Sequence, residues 1–347
     1  MSVVTLIASG QMASALTFPL FENGHEVRLV GSPLDGEIID RLREDNYHIT
    51  LRRTLHDGIK YYKISEVEEA LEGADLVVCG VSSFGVDWFA DEILPILSDD
   101  VPVLSVTKGM IDNEDGTMKT YVEYWEEKQP PGKNLNINAI GGPCTARDLA
   151  DHDYSYVAFC GRDMETLRWI RSLFSTDYYI ISLTTDIVGL ECAVALKNGY
   201  ALGTALAIGM KEKLGDDGID HNNSKSALFQ QSIKEMLHLL RIVGGGVENI
   251  MYAAGDLDVT VSAGRSRTVG LLLGMGYTIE EVMEKMKGET LEAVVIATRT
   301  ARAVKALARE GKVDLKDFPL LMHVNALLNE GAKLNIPWKE FEQETVM

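Results

Sequence analysis

Lys197 lies in the stretch GLECAVALKNGYALGTALAIGM (189 to 210), whose helical pattern is apolar on nearly every face. An ammonium placed there must find an acidic partner or give up its proton. Buried lysines serve carbonyl chemistry as proton donors and acceptors near neutral pH. The plainer reading is a structural lysine paired with Glu191 or another acid. A partner is offered by AAGDLDVTVSAGRSRTVG (253 to 270), read as a glycine-punctuated loop that crowds Asp256, Asp258, Thr260, Arg265 and Arg267 together. Arginines flanked by backbone N–H groups can grip a phosphate bidentately, so this segment suggests an anion site; an exposed basic turn is the alternative. Lys108, in VTKGM (106 to 110), directly follows a buried strand and so belongs at a cleft mouth, unless it is only a solvated lysine before a glycine turn.

Other chemistries find no support. The seven histidines (His25, His48, His56, His152, His221, His238, His323) form no HxxxH or HxH pair beside acids, so no metal is expected. Neither a GxSxG nor a Cys-His nucleophile pattern occurs. Cofactor-dependent chemistry is what remains.

The elements that must position these groups fall into two sets. VVTLIA (3 to 8), EVRLV (26 to 30), ADLVVCGV (74 to 81), VPVLSV (101 to 106) and INAIGG (137 to 142) read as strands, mostly continuous in apolar character, as strands covered on both faces must be. YSYVAFCG (154 to 161) and YYIISL (178 to 183) extend or edge that sheet, with METLRWIRSLF as the helix between them. Helical periodicity then takes over at 187 to 214, 223 to 243, 278 to 287, 291 to 310 and 316 to 329, with GDDGIDHNNS (215 to 224) the most loop-like stretch. The expected fold is α/β, a Rossmann-type doubly wound sheet over residues 1–185 followed by an all-helical unit over 186–347. No linker composition marks the boundary, so the two are expected to share a cleft.

The first βα turn reads ASGQMA (8 to 13) and opens a helix from Ser14 to Leu20. Against the dinucleotide fingerprint GxGxxG it keeps the middle glycine, Gly10, with Ala13 an allowed variant at the third position. Ala8 replaces the glycine of the tight turn, which is tolerable if its φ stays negative. Four further βα units follow, so a helix N-terminus is available to hold an anion. Asp35 lies a few residues beyond the place where a reader of the ribose 2′-hydroxyl is expected, and the stretch selects neither NAD nor NADP.

With 347 residues the chain is long enough for two cores. Lys+Arg 33 against Asp+Glu 52 gives a net charge of −19, which argues against nucleic acid and membrane surfaces as partners. No apolar run reaches a membrane span, and Cys79, Cys144, Cys160 and Cys192 show no paired spacing, so a soluble protein of the reducing cytoplasm is expected.

Taken in order, ASGQMASAL, VRLVGS, EALEGADLVVCGVSS, TKGM, GGPCTARD, TTDIVGLECAVALKN, NNSKSAL, AAGDLDVTVSAGRSR and LLLGMG make the chain resemble NAD-dependent glycerol-3-phosphate dehydrogenases over almost its whole length. The resemblance implies a Rossmann domain and an all-helical domain with substrate held between them, and a homodimer. It implies that Lys197 is the general acid/base on the C2 oxygen, with Asn198, Lys108, Asp256 and Thr260 positioning that lysine and the substrate's oxygens. It places the cofactor, NAD with NADP left open, on Ser9, Gly10, Gln11, Met12, Ser82, Ala146 and Arg265. The phosphorylated substrate falls to Lys108, Arg265 and Ser266. Three residues depart from the family pattern: Ala8; Ser266, where the family has asparagine; and Ile296, where a cofactor-contacting glutamate is replaced within VIA (295 to 297). They leave open a dehydrogenase of another phosphorylated polyol or keto-sugar, or a catalytically weakened nucleotide-binding relative.

Overall fold

Continuous apolar runs form the centre of one sheet, because only there are both faces covered. The computed structural model describes residues 1–215 and 221–342. Its main sheet contains β1 (Val3–Ile7), β2 (Glu26–Val30), β3 (Lys60–Tyr62), β4 (Leu76–Cys79), β5 (Val103–Ser105), β6 (Ile137–Gly141), β7 (Ser155–Cys160) and β8 (Tyr179–Thr184). Their spatial order is β3-β2-β1-β4-β5-β6-β7-β8, the doubly wound order, and every neighbouring pair is parallel except β6 and β7. The direction of winding reverses between β1 and β4. A ligand crevice opens beyond the carboxyl ends of strands at such a point.

Helices α1 (Gln11–Glu22), α2 (Gly36–Asp45), α3 (Tyr121–Lys128), α4 (Ala146–Ala150) and α5 (Met164–Phe174) belong to this first unit, with α1 packed on α4 and α5. The core joins Leu6 and Leu29 of the sheet to Leu16 and Leu20 of α1 and to Phe159, Phe174 and Tyr179, all buried. The edge strand β3 was not foreseen, being short and partly polar.

The first compact unit is Met1–Lys108 with Thr120–Glu191; the second is Gly109–Lys119 with the chain from Cys192 onward. The division thus falls six residues beyond the 185/186 boundary read from sequence, inside the unbroken helix α6 (Ile187–Leu214). The segment Gly109–Lys119 joins the second unit through Arg299, which donates to the Met110 carbonyl at 3.0 Å, and through the ion pair of Arg302 with the Asp112 carboxylate.

The remaining helices of the second unit are α7 (Asn222–Val243), α8 (Ile250–Ser262), α9 (Arg265–Met275), α10 (Ile279–Lys285), α11 (Glu292–Arg309) and α12 (Pro319–Asn329). Two features correct the sequence reading. Residues 253 to 270 are no loop but α8 and the start of α9. Gly255 sits within α8 because the helix buries Ala253, Asp256, Leu257 and Val261, and the chain breaks only at Gly264, whose φ is 102°. Of the loop-like stretch 215 to 224, residues 216–220 lie outside the described residues, and helix α7 already begins at Asn222. Helices α6 and α9 cross closely at glycines. A Cβ on Gly270 would stand 2.2 Å from the Leu202 carbonyl oxygen, and one on Gly274 2.3 Å from that of Leu206. This contact fixes α6, which carries Lys197, against α9, which carries Arg265 and Ser266.

In the first unit a buried carboxyl group braces a helix start. Glu191 accepts the Val122 N–H at 3.2 Å at the beginning of α3, and burial pushes its pKa up to about 8. Because the folded value lies above the ordinary carboxylate value of 4.5, this group's contribution to stability is complete below pH 4.5 and is lost as pH rises to about 8. Glu191→Gln keeps the acceptor and removes the charge. Its unfolding free energy should therefore fall less between pH 5 and pH 8.5 than the wild type's, by at least about 1 kcal/mol. Urea titrations at the two pH values measure this, and equal slopes in both proteins would refute the assignment.

Candidate active site

The first βα turn combines strain with open hydrogen-bonding capacity. Ala8 has φ 73°, in the left-handed region, so the condition of a negative φ is not met. The reason is the turn itself: strand β1 must bend into α1 within three residues, and the backbone takes the glycine conformation although the residue is alanine. A methyl group in that conformation costs about 1 kcal/mol. Ala8→Gly should accordingly leave stability within about 0.5 kcal/mol of wild type, whereas Ala13→Gly, buried in the helix, loses about 1 kcal/mol or more. Equal losses in urea unfolding would contradict a strained Ala8.

Around Ala8 the turn is held by residues distant in sequence. Asp35 Oδ2 accepts from Ser9 N at 3.0 Å and from Ser32 N at 2.8 Å. The Asp35 carboxylate is therefore engaged with backbone at the end of β2. His48 Nδ1 accepts the Leu51 N–H at 3.0 Å, so Nε2 carries the proton and donates to the Ser9 carbonyl at 2.8 Å. Burial pushes the His48 pKa down and keeps the ring neutral. Neither Asp35 nor His48 could be assigned this task from sequence, because turn and braces share no periodic pattern.

The turn suits a dinucleotide pyrophosphate. Gly10 caps α1 without a side-chain hydrogen bond and the first turn of α1 contains no acid, so this helix start, with the backbone N–H groups of Gln11 and Met12, offers positive potential suited to an anion. Ser9 Oγ is buried and has no hydrogen-bond partner among the described residues. A Cβ on Gly10 would lie 3.6 Å from the Gly80 carbonyl oxygen, so this turn sits against the end of β4. Ser82 is exposed just beyond β4, and Ala146 is the first residue of α4, after the capping Thr145. Lys108 Nζ donates to the Gly142 carbonyl at 2.9 Å, which holds it at the carboxyl ends of β5 and β6.

In the second unit Lys197 Nζ lies 2.7 Å from Asp256 Oδ1 and 2.9 Å from Thr260 Oγ1. The side chains of Lys197 and Asp256 are 13% and 1% exposed, so the ion pair is nearly dry. Asp256 and Thr260 are one helical turn apart on α8 and present one face to α6. Thr260 Oγ1 also donates to the Asp256 carbonyl at 2.7 Å, leaving its lone pairs toward the ammonium. Beside this group Ser266 Oγ donates to Asn198 Oδ1 at 3.4 Å, both buried. Ser266 is thus engaged with Asn198. Arg265 is exposed, its Nη1 3.9 Å from Glu289 Oε2. Ile296 is 3% exposed within the helical core, so the site of the missing glutamate is apolar packing.

A fixed, nearly dry ammonium can give a proton to a carbonyl oxygen, and an anion-ready turn in a doubly wound sheet can hold a dinucleotide. The class these parts define is the pyridine-nucleotide-dependent oxidoreductase. Comparison with known proteins narrows it. Residues 3–167 match the family model of the NAD-dependent glycerol-3-phosphate dehydrogenase N-terminus, and residues 186–338 that of its C-terminus. An NADP(+)-dependent glycerol-3-phosphate dehydrogenase from Archaeoglobus fulgidus is 32% identical over 96% of this chain and 96% of that protein. A glycerol-3-phosphate dehydrogenase (NAD(P)+) from Bacillus mycoides is 31% identical over 91% of this chain and 88% of its own. The fold is shared with the crystal structure of glycerol-3-phosphate dehydrogenase from Coxiella burnetii, with TM-score 0.80, 21% identity and coverage of 98% and 97% of the two chains. The chain belongs to the NAD-dependent glycerol-3-phosphate dehydrogenase family. No described helix is long and apolar enough to cross a membrane.

Proposed function

We propose that this protein catalyses the reversible reduction of dihydroxyacetone phosphate to glycerol 3-phosphate with NADH or NADPH. The observation that carries the reading is the Lys197 ammonium, held at 2.7 Å by Asp256 in nearly dry surroundings. When bound, the nicotinamide cofactor supplies the hydride to C2. Lys197 gives its proton to the C2 oxygen as the carbonyl becomes an alcohol, and takes a proton from that hydroxyl in the reverse direction. Asp256 and Thr260 keep the ammonium aimed, and its charge stabilises the developing alkoxide most strongly where water is excluded. Lys108 and Asn198 orient the substrate's oxygens. Arg265 and Ser266, at the start of α9, belong to the phosphate end, with Ser266 acting through Asn198.

In this reading the first unit is the dinucleotide-binding domain and the helical second unit the substrate domain. Ser9, Gly10, Gln11 and Met12 hold the pyrophosphate, with Ser82, Ala146 and Arg265 contributing further cofactor contacts. A small phosphorylated substrate also suits the charge of −19, since a few basic groups gathered at one place overcome the global field. We place the protein in the cytoplasm, where its four free cysteines stay reduced, and as a homodimer, which sedimentation measurement tests.

The test is turnover with NADH and NADPH across phosphorylated ketoses. The reading expects consumption of dihydroxyacetone phosphate and appearance of glycerol 3-phosphate. Preference for a tetrulose or pentulose phosphate would transfer the activity to another keto-sugar, and NADH binding without turnover of any keto-phosphate would indicate a weakened relative.

A further inference from the structure

We propose that the second unit carries a separate anion pocket, built by Lys225 and Arg267 with the hydroxyl of Ser226, that takes a small phosphorylated metabolite. These residues line a cavity of about 470 Å³, a size that suits a small organic molecule better than a bare ion.

Helix geometry separates this pocket from the Lys197 site. Residues two apart on a helix point about 200° away from each other. Asp256 faces Lys197 while Asp258 lines the cavity with Ser262, one turn further along α8. Likewise Arg265 lies beside Glu289 while Arg267 lines the cavity. The acids and arginines that look like one anion site in sequence therefore serve two places. The proposed reaction uses Asp256 and Arg265 and leaves Asp258 and Arg267 unemployed.

The pocket's chemistry favours an anion. Lys225 and Arg267 form no ion pair among the described residues, and Asp258 is the single carboxylate among the lining groups. Lys225 and Ser226 stand in the first turns of α7, a helix of 22 residues whose N-terminal end adds positive potential. Ile208, Phe229 and Val261 supply an apolar wall to the cavity, while Lys225, Ser226 and Asp258 stand at its solvent-exposed side. Arg267 is half-buried, with its fork available for two phosphate oxygens. A locally cationic cavity in a chain of charge −19 is the arrangement that concentrates small anions against the overall field.

Calorimetric titration of inorganic phosphate into the full-length protein at low ionic strength tests the pocket. Wild type should show a binding class that Lys225→Ala and Arg267→Ala each weaken about tenfold, that Asp258→Asn tightens, and that Arg265→Ala leaves in place. A gain in Asp258→Asn cannot come from damaged folding, and unfolding midpoints check the two loss variants. The proposal is overturned if wild type binds no phosphate, if Lys225→Ala and Arg267→Ala in folded form bind it as wild type does, if Asp258→Asn leaves binding unchanged, or if Arg265→Ala alone abolishes all binding. None of these outcomes depends on the reaction proposed above.

Discussion

Lys197→Ala is expected to lower kcat for dihydroxyacetone phosphate reduction by about 10³-fold, with NADH affinity unchanged. The size follows from the task. Without the ammonium, the alkoxide forming at C2 must take its proton from water, and positioned proton transfer contributes about 10²- to 10⁴-fold. Lost electrostatic stabilisation of that oxygen in a nearly dry setting adds to the effect. NADH binding is expected to persist because the pyrophosphate turn, with Ser9, Gly10, Gln11 and Met12, belongs to the first unit and Lys197 to the second. Steady-state assay together with NADH fluorescence titration measures both quantities. Loss of NADH binding in step with kcat would mean that Lys197 maintains structure rather than moving a proton.

Asp256→Ala should produce the second large effect, and it should appear in stability as well as turnover. Asp256 is 1% exposed and its carboxylate holds the Lys197 ammonium at 2.7 Å. Removing one member of a buried pair leaves the other charge uncompensated, at a cost of about 3–5 kcal/mol. Turnover should fall about 10²-fold or more, since the lysine is no longer aimed. A double-mutant cycle separates this role from general packing. In a Lys197→Met background, Asp256→Ala should change kcat little, and part of the lost stability should return because no ammonium is then stranded. Additive losses in both quantities would show that Asp256 acts independently of Lys197.

Much of the fold and part of the site can be read from the sequence. The central strands are legible because burial on both faces demands unbroken apolar runs, and α5 because its apolar residues recur on one face, giving Met164–Phe174 as expected. Lys197 stands out for the opposite reason, as a charge where the pattern allows none. What was misread depends on contacts beyond local pattern. Residues 253 to 270 carry glycines that suggest a loop, yet the burial of Leu257 and Val261 outweighs the cost of Gly255 within α8. The left-handed Ala8 is imposed by the geometry of its turn, and the bracing of that turn by Asp35 and His48 depends on tertiary folding. The assignment of Gly109–Lys119 to the second unit has the same origin, since it rests on Arg299 and Arg302, some 190 residues further along the chain.

Turnover of Lys197→Ala in rising concentrations of small primary amines tests most directly whether the ammonium is the proton donor. A cavity left by the lysine side chain can admit methylamine or ethylamine, whose protonated forms replace the missing group. Saturable recovery of kcat by about tenfold or more is expected, with none in the amine-treated wild type. Wild-type turnover of Lys197→Ala without amine, or no recovery with any amine in a variant that still folds and binds NADH, would contradict the assignment.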